Sequence, residues 1–185
     1  MDYAMLSRLQ LQSMTDQEDY LKLPAILVGT SAAVLPEQLA IWSYPLANAD
    51  ADQASFNMVT AMMCRIHQSG HLASLSPQAA AQVMEGIRVY KEVLRKHIPA
   101  AVPFYPIGTS DVTNLAAPIV LGMRSPEQAL IAVWRIEGPA KTSIPMAGVN
   151  PKLVYPTSLG INVASTEEGV DIQFPRARMA CIFSM

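Results

Sequence analysis

Near residue 100 the chain changes texture, and that change limits the fold more than any other feature of the sequence. Before it, apolar residues recur at helical spacing between brief apolar runs. After it, short β-forming runs are punctuated by Gly, Pro and Asn. Two parts in series are expected: α/β over residues 1–100 and an antiparallel β domain over residues 101–185.

The clearest helix opens at Ser76-Pro77. The Ser side chain can accept a first-turn N–H, and proline's fixed φ suits the first helical position. Val83, Ile87, Tyr90, Leu94 and Ile98 form its apolar stripe. Lys91, Arg95, Lys96 and His97 gather at the negative end of its dipole. A second helix is expected over about residues 52–67, capped within NADADQ and burying Phe56, Val59, Met63 and Ile66, with Gly70 as a stop. Residues 19–29 read as a short helix interrupted by Pro24. Residues 39–42 read as a buried strand, and 71–73 as another. The MLSRLQLQ run reads as a strand leading into the acidic group TDQED.

Strands alternating with helices suggest βα units on a parallel sheet. A closed (β/α)8 TIM-type barrel takes about 250 residues, so residues 1–100 have room for only part of one. Beyond Pro99, strands are expected at 117–121, 130–136, 153–155, 161–164, 170–174 and 179–183, with Thr166–Gly169 as a turn. That spacing suits a small antiparallel β-sandwich.

Composition bounds the function classes. In 185 residues, 51% are hydrophobic and 15% charged, which is enough to bury a sizeable core. Thirteen basic against fifteen acidic residues give a net charge of −2 with no basic tract. The electrostatic footprint of a nucleic-acid binder is missing. The N-terminus lacks a basic start followed by an apolar run, and no stretch approaches the roughly 18 apolar residues of a membrane span. Cys64 and Cys181 lie among apolar neighbours and read as buried thiols in a reducing compartment. A soluble cytoplasmic protein is expected.

Several residues could carry chemistry. In TDQED, Asp or Glu could protonate a leaving oxygen if its pKa is raised. The same cluster would serve as a solvated N-cap. His67 and His71 share the H-x-x-x-H spacing of a zinc helix. Gln68 stands where that motif needs Glu, and Gly70 would break the helix, so capping or core roles are the simpler reading and no metal site is expected. Cys64 in AMMCRI reads as core rather than as a partner for His67. Trp42 and Tyr44 could form an aromatic wall for a sugar ring, or pack. No G-x-S-x-G, P-loop or G-x-G-x-x-G occurs, and no cofactor is expected.

From Asp2 to Ser31 the chain resembles the glycoside hydrolase family 36 α-galactosidases. That family carries R-x-D-x-G-M-L, then S-D-x-T-D, then x-I-Q-Y-G-T-S and a proline. Asp2, Met5-Leu6, Gln10, Thr15-Asp16, Asp19, Ile26, Gly29-Thr30-Ser31 and Pro36 fall in the same order here. Ser69-Gly70-His71-Leu72, the following LSP and the VYKEVLRKHI helix resemble the family's last barrel strand and helix. ALIAVWRI and the final strand resemble its C-terminal β domain.

The resemblance implies a retaining mechanism with two carboxylates about 5 Å apart. It makes Asp16 the acid/base and gives Asp19 a part in shaping the site. His71 would lie at the mouth of the last strand; Trp42, from the aromatic-wall reading, is the further candidate for contact with the sugar. The nucleophile would belong to an earlier barrel strand outside these residues. Three positions depart from the family pattern. Ser13 stands where the family has Trp, Ala4 where it has Gly, and the AIWSYP run where it has Cys-His. The resemblance thus implies the C-terminal portion of an enzyme that removes terminal α-linked galactose. That portion would self-associate or pair with the remaining barrel units. The alternative is a non-catalytic carbohydrate-binding or structural subunit of a split glycosidase.

Overall fold

The computed structural model describes residues 2–185. The N-terminal part is built on a three-stranded parallel sheet. Its strands are β1 (Gln12–Ser13), β2 (Leu39–Ser43) and β3 (Arg65–Gln68), in spatial order β1-β2-β3. The short helix α1 (Tyr3–Leu6) precedes the sheet, capped by the Asp2 carboxylate on Met5 N–H. The helices α2 (Leu23–Thr30), α3 (Ala51–Met62) and α4 (Pro77–Val89) complete this part.

Several sequence expectations are revised here. The MLSRLQLQ run is a helical turn followed by a two-residue strand. Its polar alternation cannot support a longer buried parallel strand. Pro24 does not interrupt a helix. It sits in the first turn of α2, where its missing N–H costs nothing. The second helix stops at Met62, and Arg65–Gln68 is a strand. Ile66 fits the helical stripe only by coincidence of spacing. Residues 72–74 form a 3-10 turn rather than a strand.

Asp50 caps α3 on Gln53 N–H, and Ser76 caps α4 on Ala79 N–H. After Val89 the helical path widens into a π turn over Tyr90–Leu94 and runs on to Ala100. Burial pushes the Tyr90 hydroxyl up from its ordinary value.

The C-terminal part holds two antiparallel sheets. Five strands pair in the order β4-β5-β6-β11-β8: β4 (Val102–Phe104), β5 (Ile119–Arg124), β6 (Ala129–Arg135), β8 (Lys152–Tyr155) and β11 (Met179–Ser184). Three strands pair in the order β7-β10-β9: β7 (Lys141–Ile144), β9 (Asn162–Ser165) and β10 (Val170–Gln173). The Thr166–Gly169 turn joins β9 to β10, closed by Thr166 N–H on the Gly169 carbonyl. The strands β4 and β7 were not legible in the sequence: β4 has only three residues with Pro103 at its centre, and β7 has four with a single aliphatic side chain.

The larger sheet is buried on both faces. Ile119, Leu121, Leu130, Ala132, Trp134, Ala180 and Ile182 join one core with Leu27, Ile41, Phe56, Met62 and Val83 of the N-terminal part. The intervening Val120, Ile131, Val133, Cys181 and Phe183 turn to a second core with Ile144, Val170 and Ile172 of the smaller sheet. Period-two alternation therefore sorts side chains between helices and strands. That double burial explains the near-continuous apolar runs of β5, β6 and β11.

Polar contacts fasten the first core. The buried Trp134 indole donates to Thr60 Oγ1 at 3.0 Å, and the Tyr155 hydroxyl donates to the Gln82 carbonyl at 2.9 Å. Arg176 grips Asp52 through two bonds of 2.6 and 2.9 Å. Gly86 of α4 lets α3 approach closely: a Cβ there would lie 2.8 Å from the Met58 methyl.

Candidate functional site

Register decides what the parallel sheet presents. Ser13 lies beside Ala40, Ala40 beside Arg65, and Trp42 beside His67. These residues share one face. The opposite face holds Ile41 and Ser43 and packs on α3, where Ser43 Oγ donates to Met58 Sδ at 3.3 Å. On the Ser13–Trp42–His67 face, Ala40 is fully buried and Ser13 Oγ and His67 Nδ1 are enclosed, while Trp42 and Arg65 reach solvent.

The C-terminal ends of the three strands form a rim. Trp42 at the end of β2 is 37% exposed, and its ring meets His67 edge-on at a centroid distance of 4.9 Å. Tyr44, two residues on, is 48% exposed and meets His71 edge-on at 6.2 Å. The loop after β3 is fastened to the loop after β2. Ser69 N–H donates to the Ser43 carbonyl at 3.0 Å, and His71 N–H to the Pro45 carbonyl at 2.9 Å. Gly70 permits this approach. Its φ is +89°, and a Cβ would lie 2.6 Å from the Pro45 oxygen.

Asp16 and Asp19 lie in the loop after β1. One end of that loop is tied by Met14 N–H on the Ala40 carbonyl at 2.9 Å. The other is held by Tyr20, whose ring packs edge-on against Phe56 of α3 at 5.3 Å. Burial there pushes the Tyr20 hydroxyl up from its ordinary value. Between these anchors, side chains fold back on the backbone. Thr15 Oγ1 accepts from Gln17 N–H, Gln17 Oε1 from Asp19 N–H, and Asp19 Oδ1 from Leu21 N–H. Asp19 also lies 3.6 Å from Lys22 Nζ. Asp16 is exposed, and among the described residues its carboxylate has no side-chain hydrogen bond or ion pair.

Of the four residues singled out from sequence, Asp16, Asp19 and His71 thus lie on the segments that leave β1 and β3, and Trp42 is the penultimate residue of β2 between them. His71 is exposed and touches Tyr44 rather than Trp42. Sequence reasoning weighed His67 as a metal ligand, a capping or core residue, or a partner for Cys64, and could not pair it with Trp42, because β3 was hidden inside an expected helix.

Three buried polar atoms near this end lack a partner: Ser13 Oγ, His67 Nδ1 and Gln68 Oε1. Such atoms cost about 1–3 kcal/mol each when left unmet. Among the described residues no three His, Cys, Asp or Glu side chains gather as metal ligands would. Cys64 and Cys181 are fully buried, which pushes both thiols far up and makes them unreactive packing groups. A cleft of about 410 Å³ lies far along the chain between Lys141, Pro145, Glu167 and Asp171, and none of the rim residues lines it. There Asp171 is paired with Lys141 at 2.7 Å and accepts from Ser143.

No protein-family model matches the chain, and no curated protein matches it in sequence. Solved structures do match. The galactosidase domain of the α-galactosidase-sucrose kinase AgaSK is similar with a TM-score of 0.64 at 18% identity. The GH36 α-galactosidase AgaA from Geobacillus stearothermophilus gives 0.67 at 14%, and the α-galactosidase from Lactobacillus brevis 0.65 at 13%. Each match covers 92% of this chain and 25% of the other.

The chain has the fold of the C-terminal portion of GH36 α-galactosidases. It spans about a quarter of the length of those GH36 enzymes. The GH36-like part is mixed α/β with antiparallel sheets. No helix among the described residues is long and apolar enough to cross a membrane.

Proposed function

We propose that this chain is the C-terminal portion of an α-galactosidase-like retaining glycoside hydrolase that removes terminal α-linked galactose. Residues 1–100 are the last βα units of a TIM-type barrel, and residues 101–185 are its C-terminal β-sandwich. The observation that carries this reading is the shared rim: the Asp16 loop, Trp42 and His71 lie at the C-terminal ends of three parallel strands. Barrel glycosidases assemble their sites at that end. In the same reading, the Ser13–Trp42–His67 face turns toward the barrel interior.

Asp16 protonates the leaving oxygen while a second carboxylate attacks the anomeric carbon. Asp16 then takes a proton from the water that releases the sugar. Asp19 shapes the loop, and Trp42 and His71 contact the sugar. The second carboxylate comes from barrel strands supplied in the whole enzyme, and the open strand edges on either side of β1-β2-β3 are where those units join. The protein works in the cytoplasm.

The purified 185-residue chain is expected to show negligible hydrolysis of an aryl α-galactoside. Adding a polypeptide with the remaining barrel units should restore turnover, and Asp16→Asn should then lower it at least about a hundredfold. Restored turnover that ignores Asp16→Asn would sink the assignment. A second reading, a non-catalytic carbohydrate-binding or structural subunit, is favoured by the exposure of Asp16 and its lack of any partner group. It requires galactoside binding without turnover in every assembly.

A further inference from the structure

The rim carries two aromatic rings, not one. Trp42 and Tyr44 are two residues apart, both substantially exposed, and each is braced from the side by a histidine of the neighbouring segment. Bracing fixes their orientation before any ligand arrives, so little side-chain entropy is left to lose. The support is built into the backbone. Ser69 and His71 donate to the Ser43 and Pro45 carbonyls, so the strand-end loops behind both rings are locked together. Two neighbouring residues about 6–7 Å apart along an extended chain can underlie two successive rings of a ligand.

We infer that Trp42 and Tyr44 form a two-ring stacking platform, and that Tyr44 takes a second pyranose ring beyond the one held by Trp42. This makes Tyr44 a specificity-determining residue for two-ring α-galactosides over single-ring ones. The inference rests on the reading of the rim as a sugar site. Each pyranose presents an apolar face of C–H groups to an aromatic ring, and the exposed edge of its hydroxyls stays in water. His67 is a positioning residue that holds Trp42, and His71 does the same for Tyr44.

The test measures binding of methyl α-galactoside and of melibiose to the 185-residue chain by tryptophan fluorescence and calorimetry. Tyr44→Ala should weaken melibiose about fivefold and leave methyl α-galactoside unchanged, while Trp42→Ala weakens both. Tyr44→Phe should keep melibiose binding, because the ring rather than the hydroxyl makes the contact. Equal loss for both sugars in Tyr44→Ala, or no loss for either, overturns the platform while leaving the sugar site standing. No binding of either sugar by the unaltered chain overturns both. A change in sedimentation without a change in sugar binding assigns the two rings to a protein contact and overturns the platform as well.

Discussion

At the scale of single residues, the most informative groups are those buried with a partner across the seam between the two halves. The Tyr155 hydroxyl is almost wholly enclosed, and burial holds it well above its ordinary value of 10.0. Below about pH 10 both the folded and unfolded chains keep this proton, and stability does not depend on it. Above that, the unfolded chain releases the proton and the folded chain does not, so stability falls as pH rises. The two enclosed thiols act with the same sign from their ordinary value of 9.0. Tyr155→Phe should cost about 1 kcal/mol at neutral pH through the abandoned Gln82 carbonyl. It should also flatten the alkaline decline. Urea midpoints followed from about pH 8 to pH 11 check both points, and an unchanged alkaline slope would contradict the assignment.

Residues also show where sequence reading has its limit. Asp16, Asp19 and His71 could be picked out by order, because the motif spacing is readable in the linear chain, and Trp42 by residue type alone. Their juxtaposition could not. The pairing of Trp42 with His67 depends on register between β2 and β3, which is set by hydrogen bonding across more than twenty residues of sequence. Nothing local announces it.

At the scale of elements, capping signals and doubly buried strands were the most legible features. Ser76-Pro77 opens α4 as its chemistry requires, and the runs of β5, β6 and β11 stand out because both faces are covered. Short elements were not. Arg65–Gln68 has four residues and only one aliphatic side chain, so it merged with the helix before it. The loop after it is a different case, since a single glycine sets its path. Gly70→Ala would force a left-handed residue to carry a Cβ against the Pro45 oxygen. A cost of about 1–3 kcal/mol is expected. Amide exchange at His71 should speed up in this variant while exchange in β6 is unaffected. Equal acceleration at both places would mean that the loop and the core open together.

At the scale of the whole molecule, the two halves share one apolar core. The five-stranded sheet meets the helices through Leu121, Leu130, Trp134 and Ile182. Residues 101–185 produced alone would turn that face to water, well beyond the apolar patch a soluble monomer tolerates. That fragment should aggregate or bind a hydrophobic dye strongly, whereas the full chain should not. A soluble, dye-silent fragment with a sharp unfolding transition would show that the sheet needs no helices. The texture change near residue 100 was visible in sequence as a change of secondary structure. Its continuity in packing was not, because alternation within one strand cannot reveal which neighbour each side receives.

The doubly covered sheet also governs how such a chain could be recombined. A crossover at residue 100 would part Thr60 from Trp134 and Gln82 from Tyr155, leaving donors and carbonyls stranded inside a mismatched seam. Chimaeras that trade β halves between chains of this fold should therefore survive only when α3 and α4 travel with the sheet they were shaped to cover.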